Sequence, residues 1–235
     1  MPNIIDCKPG AVDSVNAFST SPSDKSEDDI LEEVNVALSL ARQAIIKAQK
    51  KALSFRIRYK NGGRREQRQV REDWNNNEAF RFLGPAPNKK KHFNAVYRRL
   101  RKLAERIRTT KVIVRPHTGA GSGSCSKNTN SLGYMSRLTA GGRLNVCPKF
   151  FLVREIEGDT ARDREVQGAA RQAGALTHEL AHSLGLTGKG HKQVAGGRND
   201  VIFREMRNWA NANAKKARKN PSSYEAMITF IAAEL

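Results

Sequence analysis

The sequence predicts an α+β fold, mostly helical, with a small antiparallel sheet beside one central helix. Three observations predict it. Apolar residues recur at helical spacing over several long stretches. One β-branched run and two short runs flanking a Gly pair supply strands. The third is a helix over 160–184 that carries His178-Glu179-Leu180-Ala181-His182, an H-E-x-x-H pattern.

Composition bounds the class. With 235 residues and 38% hydrophobic content, the chain is long enough for one domain with a proper core. The pattern divides it into a disordered leader over 1–27 and a folded domain over 28–235. The longest apolar runs, such as 227–233, fall short of a membrane span. Met1-Pro2-Asn3-Ile4-Ile5-Asp6 has neither a basic n-region nor an apolar h-region, so no classical secretory signal is expected. Localisation then stays between the cytoplasm and export by a non-classical route. A formal charge of +19 and a pI of about 10.3 favour polyanionic or acidic partners. A merely solvated basic surface accounts for the same composition, and no nucleic-acid module accompanies it. Cys7, Cys125 and Cys147 make an odd count without metal-site spacing, consistent with one pair plus a free thiol or with three reduced thiols.

Each element follows from local signals. Residues 1–27 are rich in Ser, Asp, Pro and Asn and lack an apolar period, hence the leader. Ser26 is placed to cap a helix, with Glu27, Asp28 and Asp29 in its first turn. Ile30, Leu31, Val34, Leu38, Ala41, Ile45 and Ala48 then recur at helical spacing, predicting an amphipathic helix over 28–54. A basic turn over 59–66 leads to a short helix over 67–81, which stops before Gly84-Pro85-Ala86-Pro87. The helix over 89–108 has a stripe of Phe93, Val96, Tyr97, Leu100, Leu103, Ala104 and Ile107, opposite nine Lys and Arg side chains. Residues 111–115 are a β-branched strand. The Gly/Ser-rich stretch 117–130 lacks the Gly-Lys-Ser/Thr ending of a phosphate-binding loop, so no nucleotide site is expected there. Strands over 132–138 and 143–147 flank Ala140-Gly141-Gly142 as a hairpin, with Pro148-Lys149-Phe150-Phe151 closing the second. After the 160–184 helix, Gly185 serves as a C-cap. A Gly-rich irregular stretch precedes a helix over 200–218. Asn220-Pro221 breaks it, and Ser222 or Ser223 caps a last helix from Tyr224.

The chemistry lies in the H-E-x-x-H stretch. Residues four apart share a helix face, so His178 and His182 present two imidazoles to one point, the arrangement that binds Zn²⁺. Glu179 sits beside that point as a general base for water. A catalytic zinc takes three protein ligands and keeps one position open. His191, nine residues beyond His182 on the Gly-rich stretch, is the third ligand expected; Asp200 is its rival and Asn199 a weaker one. His92 and His117 lie far away in sequence and read as surface or structural residues.

Several blocks, in order around this motif, resemble the deuterolysin-type zinc endopeptidases, the aspzincins, which include peptidyl-Lys metalloendopeptidases. They are Phe80-Arg81-Phe82-Leu83-Gly84 with the basic helix after it, and Cys125-Ser126-Lys127-Asn128 through Tyr134. Leu144-Asn145-Val146-Cys147-Pro148-Lys149-Phe150-Phe151 and Asn220-Pro221-Ser222-Ser223-Tyr224-Glu225 complete the set. The resemblance covers most of the chain from about residue 30. It implies a zincin-like fold and peptide-bond hydrolysis, with zinc held by His178, His182 and His191 and water activated by Glu179. It also implies a Cys125–Cys147 disulfide that leaves Cys7 free.

Two positions depart from the family pattern. His191 stands where the family keeps an aspartate ligand. Val194 stands where it keeps a tyrosine that helps stabilise the oxyanion, leaving Tyr134 or another group to supply that donor. The alternative function is a non-catalytic basic binding protein with a structural or vestigial zinc site. A peptidase exported as an effector, with 1–27 as its signal, combines the two.

Overall fold

The computed structural model describes residues 4–18, 24–127, 132–136, 142–156, 161–186 and 199–235. The chain runs through β1 (Ile5–Cys7), α1 (Ala11–Phe18), α2 (Glu27–Asn61), α3 (Arg64–Asn76), a 3-10 turn (Phe80–Leu83) and α4 (Lys90–Thr109). There follow β2 (Val112–Val114), a second 3-10 turn (Gly123–Cys125), β3 (Gly133–Met135), β4 (Leu144–Val146), α5 (Lys149–Ile156), α6 (Ala161–His182), α7 (Asn199–Ala212), α8 (Ala214–Ala217) and α9 (Pro221–Ala232). The expected class, α+β and mostly helical, is the one observed.

The sheet is mixed rather than antiparallel, with strand order β1-β2-β4-β3. β3 and β4 form the expected antiparallel pair, Tyr134 opposite Asn145, but β2 runs parallel to both β4 and β1. The parallel edge comes from the segment read as a disordered leader. Ile5–Cys7 pairs with Val112–Val114, Lys8 N–H donates to the Val114 carbonyl (3.0 Å), and Ala11 and Val15 of α1 are buried in the core. Residues 5–18 are therefore folded. Their partner strand lies far along the chain, so no local period records it.

α2 begins where its cap places it. Ser26 Oγ accepts from Asp29 N–H (3.2 Å) and the Asp29 carboxylate accepts from Ser26 N–H (2.9 Å), a reciprocal capping box. The helix continues to Asn61, past the expected end, and the 59–66 turn shrinks to Gly62-Gly63. The cause is Arg58, which pairs with Glu66 and Asp73 of α3 (2.6 Å each) and so holds the last turn of α2 against its neighbour. Phe55, Trp74, Phe80 and Phe93 pack ring against ring where α2, α3 and α4 meet. Trp74 Nε1–H donates to the Gly84 carbonyl (3.0 Å), satisfying the one polar atom of the indole.

Three further boundaries differ. Lys149–Ile156 is a helix, not the end of a strand, because Phe150 and Phe151 are both buried under it. The helix expected over 200–218 is interrupted at Asn213, giving α7 and the short α8. And α9 starts at Pro221, three residues earlier than expected. Asn220 Oδ1 accepts from Ser222 N–H (3.3 Å), and Pro221 takes the first helical position, where its missing N–H is harmless.

α6 is the hub, packed by α9, α2, α5 and the edge strand β3. Ala170, Ala173, Leu176, Thr177, Leu180 and Ala181 are all buried along it. Gly174 sets how closely α9 lies: a Cβ there would collide with Thr229 Oγ1 and stand 3.1 Å from the Glu225 carbonyl. On another side, buried Glu33 of α2 accepts from Lys25 Nζ (2.8 Å) and Gln172 Nε2 (2.5 Å), tying α2 to α6. Cys125 and Cys147 form a disulfide with a Cα separation of 5.4 Å, and Cys7 is a free, half-buried thiol.

Candidate metal centre

The last turns of α6 bring His178, Glu179 and His182 together. Their ligating atoms lie within 4.8 Å of one another, and theirs is the one such trio among the described residues. The two Nε2 atoms are 3.1 Å apart. Tetrahedral zinc with Zn–N bonds of about 2.0–2.1 Å sets two nitrogens about 3.3 Å apart, so the imidazole pair fits such an ion with little adjustment. The helix ends directly afterwards. Gly185 has φ +70°, its N–H donates to the His182 carbonyl (3.0 Å) and Leu186 N–H to the Ala181 carbonyl (3.3 Å). This is a Schellman end, so the C-cap expected of Gly185 is present and turns the chain away just past the second histidine.

The outer shell comes from α9. Glu225 Oε2 lies 2.8 Å from His178 Nδ1, and Ser222 Oγ lies 3.4 Å from the same nitrogen. Arg171, about two turns before His178 on α6, stands 4.0 Å from the other Glu225 oxygen. A carboxylate on Nδ1 fixes the imidazole so that its proton is there and Nε2 faces outward as a ligand. Sequence reasoning missed Glu225. It lies 47 residues from His178, and sequence reasoning assigned it no role beyond closing the 220–225 block. One signal was available: Glu225 is the sole carboxylate between Glu205 and Glu234.

The charges reinforce one another. On His178, burial works against the charged form, but the Glu225 hydrogen bond and charge outweigh it and raise the pKa above the ordinary imidazole value. On Glu225, burial likewise opposes charge. The His178 hydrogen bond, with the charges of His178, Arg171 and His182, wins and holds the carboxyl below its usual range. Glu179 goes the other way. Burial pushes it up to about 7, the charge of His178 opposes this, and Glu225 adds to it. A carboxyl in that range is matched to taking up and returning a proton near neutral pH.

β3 forms a wall beside Glu179. A Cβ on Gly133 would sit 3.7 Å from Glu179 Cγ and only 2.6 Å from the Asn145 carbonyl, so that face of the strand admits glycine alone. Fully buried Asn145 braces the edge: Oδ1 accepts from Arg115 Nε (2.9 Å) and Nδ2 donates to the Tyr134 carbonyl (3.2 Å). Because side chains alternate along a strand, Tyr134 points away from Glu179, and its phenol lies against Gly123. The structure therefore does not bring Tyr134 to the centre as an oxyanion donor.

Of the remaining residues singled out by sequence, His191 and Val194 lie outside the described residues, as do the side chains of Asn199 and Asp200. His117 packs edge-on against Phe18 (4.8 Å between ring centres) and donates its backbone N–H to Ser14 Oγ (3.0 Å), a structural place. His92 sits at the start of α4 among Arg218, Lys91, Lys89 and Lys215, away from the trio. No protein-family model and no curated protein matches the chain.

Proposed function

We propose that the chain is a zinc-dependent endopeptidase with a zincin-like fold, hydrolysing peptide bonds of protein substrates. The observation that carries this reading is the His178–His182 pair. Two Nε2 atoms converge at 3.1 Å while the far nitrogen of one ring is engaged by a partly buried carboxylate. Such a set, with a second carboxylate alongside, supports metal binding over a helix-surface histidine pair. His191 is assigned the third ligand position on its spacing in the sequence.

Zinc, when bound, supplies a Lewis acid that polarises a carbonyl and makes water a stronger acid. The protein's own groups do the rest. Glu179, whose carboxylate lies beside the two imidazoles, removes a proton from the attacking water and delivers it to the leaving amine nitrogen. Glu225 holds His178 in one tautomer and one orientation, and the His178 hydrogen bond, with Arg171 at 4.0 Å, keeps Glu225 ionised. Gly133 and the β3 edge close one side of the centre. The test is proteolysis of an unstructured protein such as casein, with and without chelator, by the natural chain and by Glu179→Gln. The reading expects chelator-sensitive cleavage that the Gln variant loses while it retains metal. Cleavage undiminished in Glu179→Gln contradicts it.

A further inference from the structure

Two segments of the chain carry no carboxylate. Residues 79–104 hold eight Lys and Arg side chains and residues 206–224 hold five, with no Asp or Glu in either. The fold lays these segments together. Arg99 of α4 donates to the Arg218 carbonyl (2.9 Å), Arg218 donates to the Pro85 carbonyl (2.6 Å), and the Tyr224 hydroxyl also donates to the Arg218 carbonyl (3.0 Å). These two arginines are engaged with backbone and serve the junction. The lysines are not so engaged. Lys89, Lys90 and Lys91 at the start of α4, with Lys215, Lys216 and Lys219 in and after α8, are all exposed. Among the described residues none of the six forms an ion pair.

Beside this junction lies His92, which feels charges from both groups. Burial, then the charges of Arg218, Lys91, Lys89 and Lys215, hold its imidazole below the ordinary value, and no carboxylate contributes. The N-terminus of α4, which has no side-chain cap, adds the positive end of a 20-residue helix to the same corner. Such a concentration of like charge disfavours the isolated fold and is relieved by an anion.

We propose that this face, formed by the start of α4 and by α8, binds the phosphodiester backbone of a nucleic acid without regard to base sequence. Lysines are compact charges that contact phosphate oxygens singly, and two groups of three on adjacent elements suit a row of phosphates. A membrane surface fits less well. Docking to lipid uses apolar side chains that insert beside the cations. The exposed large hydrophobics among the described residues, Ile4, Ile57, Val166 and Leu235, all lie outside both segments.

The test uses the full chain and a fluorescent DNA duplex, with anisotropy read over a salt series. Log K falls linearly with log salt when phosphates are neutralised. K89Q/K90Q/K91Q and K215Q/K216Q/K219Q each lower that slope by about 3 and weaken binding about tenfold or more. R64Q/R65Q/R68Q removes the same charge from exposed positions of α3 and leaves the slope unchanged. An equal loss in this α3 variant overturns the proposal, since total charge and not this face is then responsible. So does a lack of duplex binding. Tighter binding to phosphatidylserine vesicles or to polyglutamate, lost in the same lysine variants, also overturns it and reassigns the face to a membrane or to an acidic protein.

Discussion

Two helices of similar length, α6 and α4, use their surroundings in opposite ways. α6 is packed by α9, α2, α5 and β3, and it carries Arg171, Gln172, Thr177 and the histidine pair inside the molecule. α4 buries one stripe, Phe93, Val96, Leu100, Leu103 and Ile107, and turns its cations outward. On α6 Arg171, Gln172, Thr177 and His178 each meet a specific partner, so chemistry depends on single atoms. On α4 the cations act together, so their effect depends on number. A site of the first kind breaks with one substitution; a surface of the second kind wears down by increments.

The largest effect belongs to Glu179. Glu179→Gln removes the proton acceptor and lowers kcat for proteolysis by about 10²–10⁴-fold with zinc retained, as a rate assay paired with metal analysis will show. Glu225→Ala comes next. Loss of the partner of His178 Nδ1 weakens zinc affinity by about 10–100-fold in a competition titration, and Glu225→Gln, which keeps an oxygen acceptor, recovers part of it.

Cys7 tests whether the N-terminal segment is folded. Burial, then the charges of Glu27 and Asp6, push its thiol up to about 11, whereas a thiol in a disordered leader titrates near about 8.5. The protonated form therefore persists through neutral pH. Alkylation at pH 8 should be about tenfold or more slower in the native chain than in denaturant, and should accelerate as pH rises toward 11.

Gly174→Ala places a methyl against Thr229 Oγ1 and forces α6 and α9 apart, lowering stability by about 1–3 kcal/mol in denaturant titration. By contrast Arg101→Gln, at an exposed position of α4, shifts stability by no more than about 0.5 kcal/mol.

The same contrast explains what the sequence revealed. α2, α4 and α6 were legible because their signals are local: a Ser26 cap, an apolar stripe, a glycine at 185. The antiparallel β3–β4 pairing was legible from the Ala140-Gly141-Gly142 signal in the sequence. β1 was not, since three residues become a strand only through β2, and the parallel β2–β4 pairing that makes the sheet mixed likewise joins segments far apart in the chain. α5 was misread because Phe150 and Phe151 suit a strand end as well as a buried helix. At the candidate metal centre, His178, Glu179 and His182 announce themselves by spacing. Glu225 does not, because what brings it to His178 is the closeness that Gly174 allows between two helices. Candidate ligands are read from a motif; the groups that orient them come from packing.

The central claim is that the end of α6 holds a metal through His178 and His182. Its most direct test is the zinc content of the full chain, purified without added chelator, beside that of His182→Ala. The account predicts about one equivalent of zinc per chain in the natural protein and almost none in the variant. Equal zinc in both, or none in the natural chain after zinc is supplied, contradicts it.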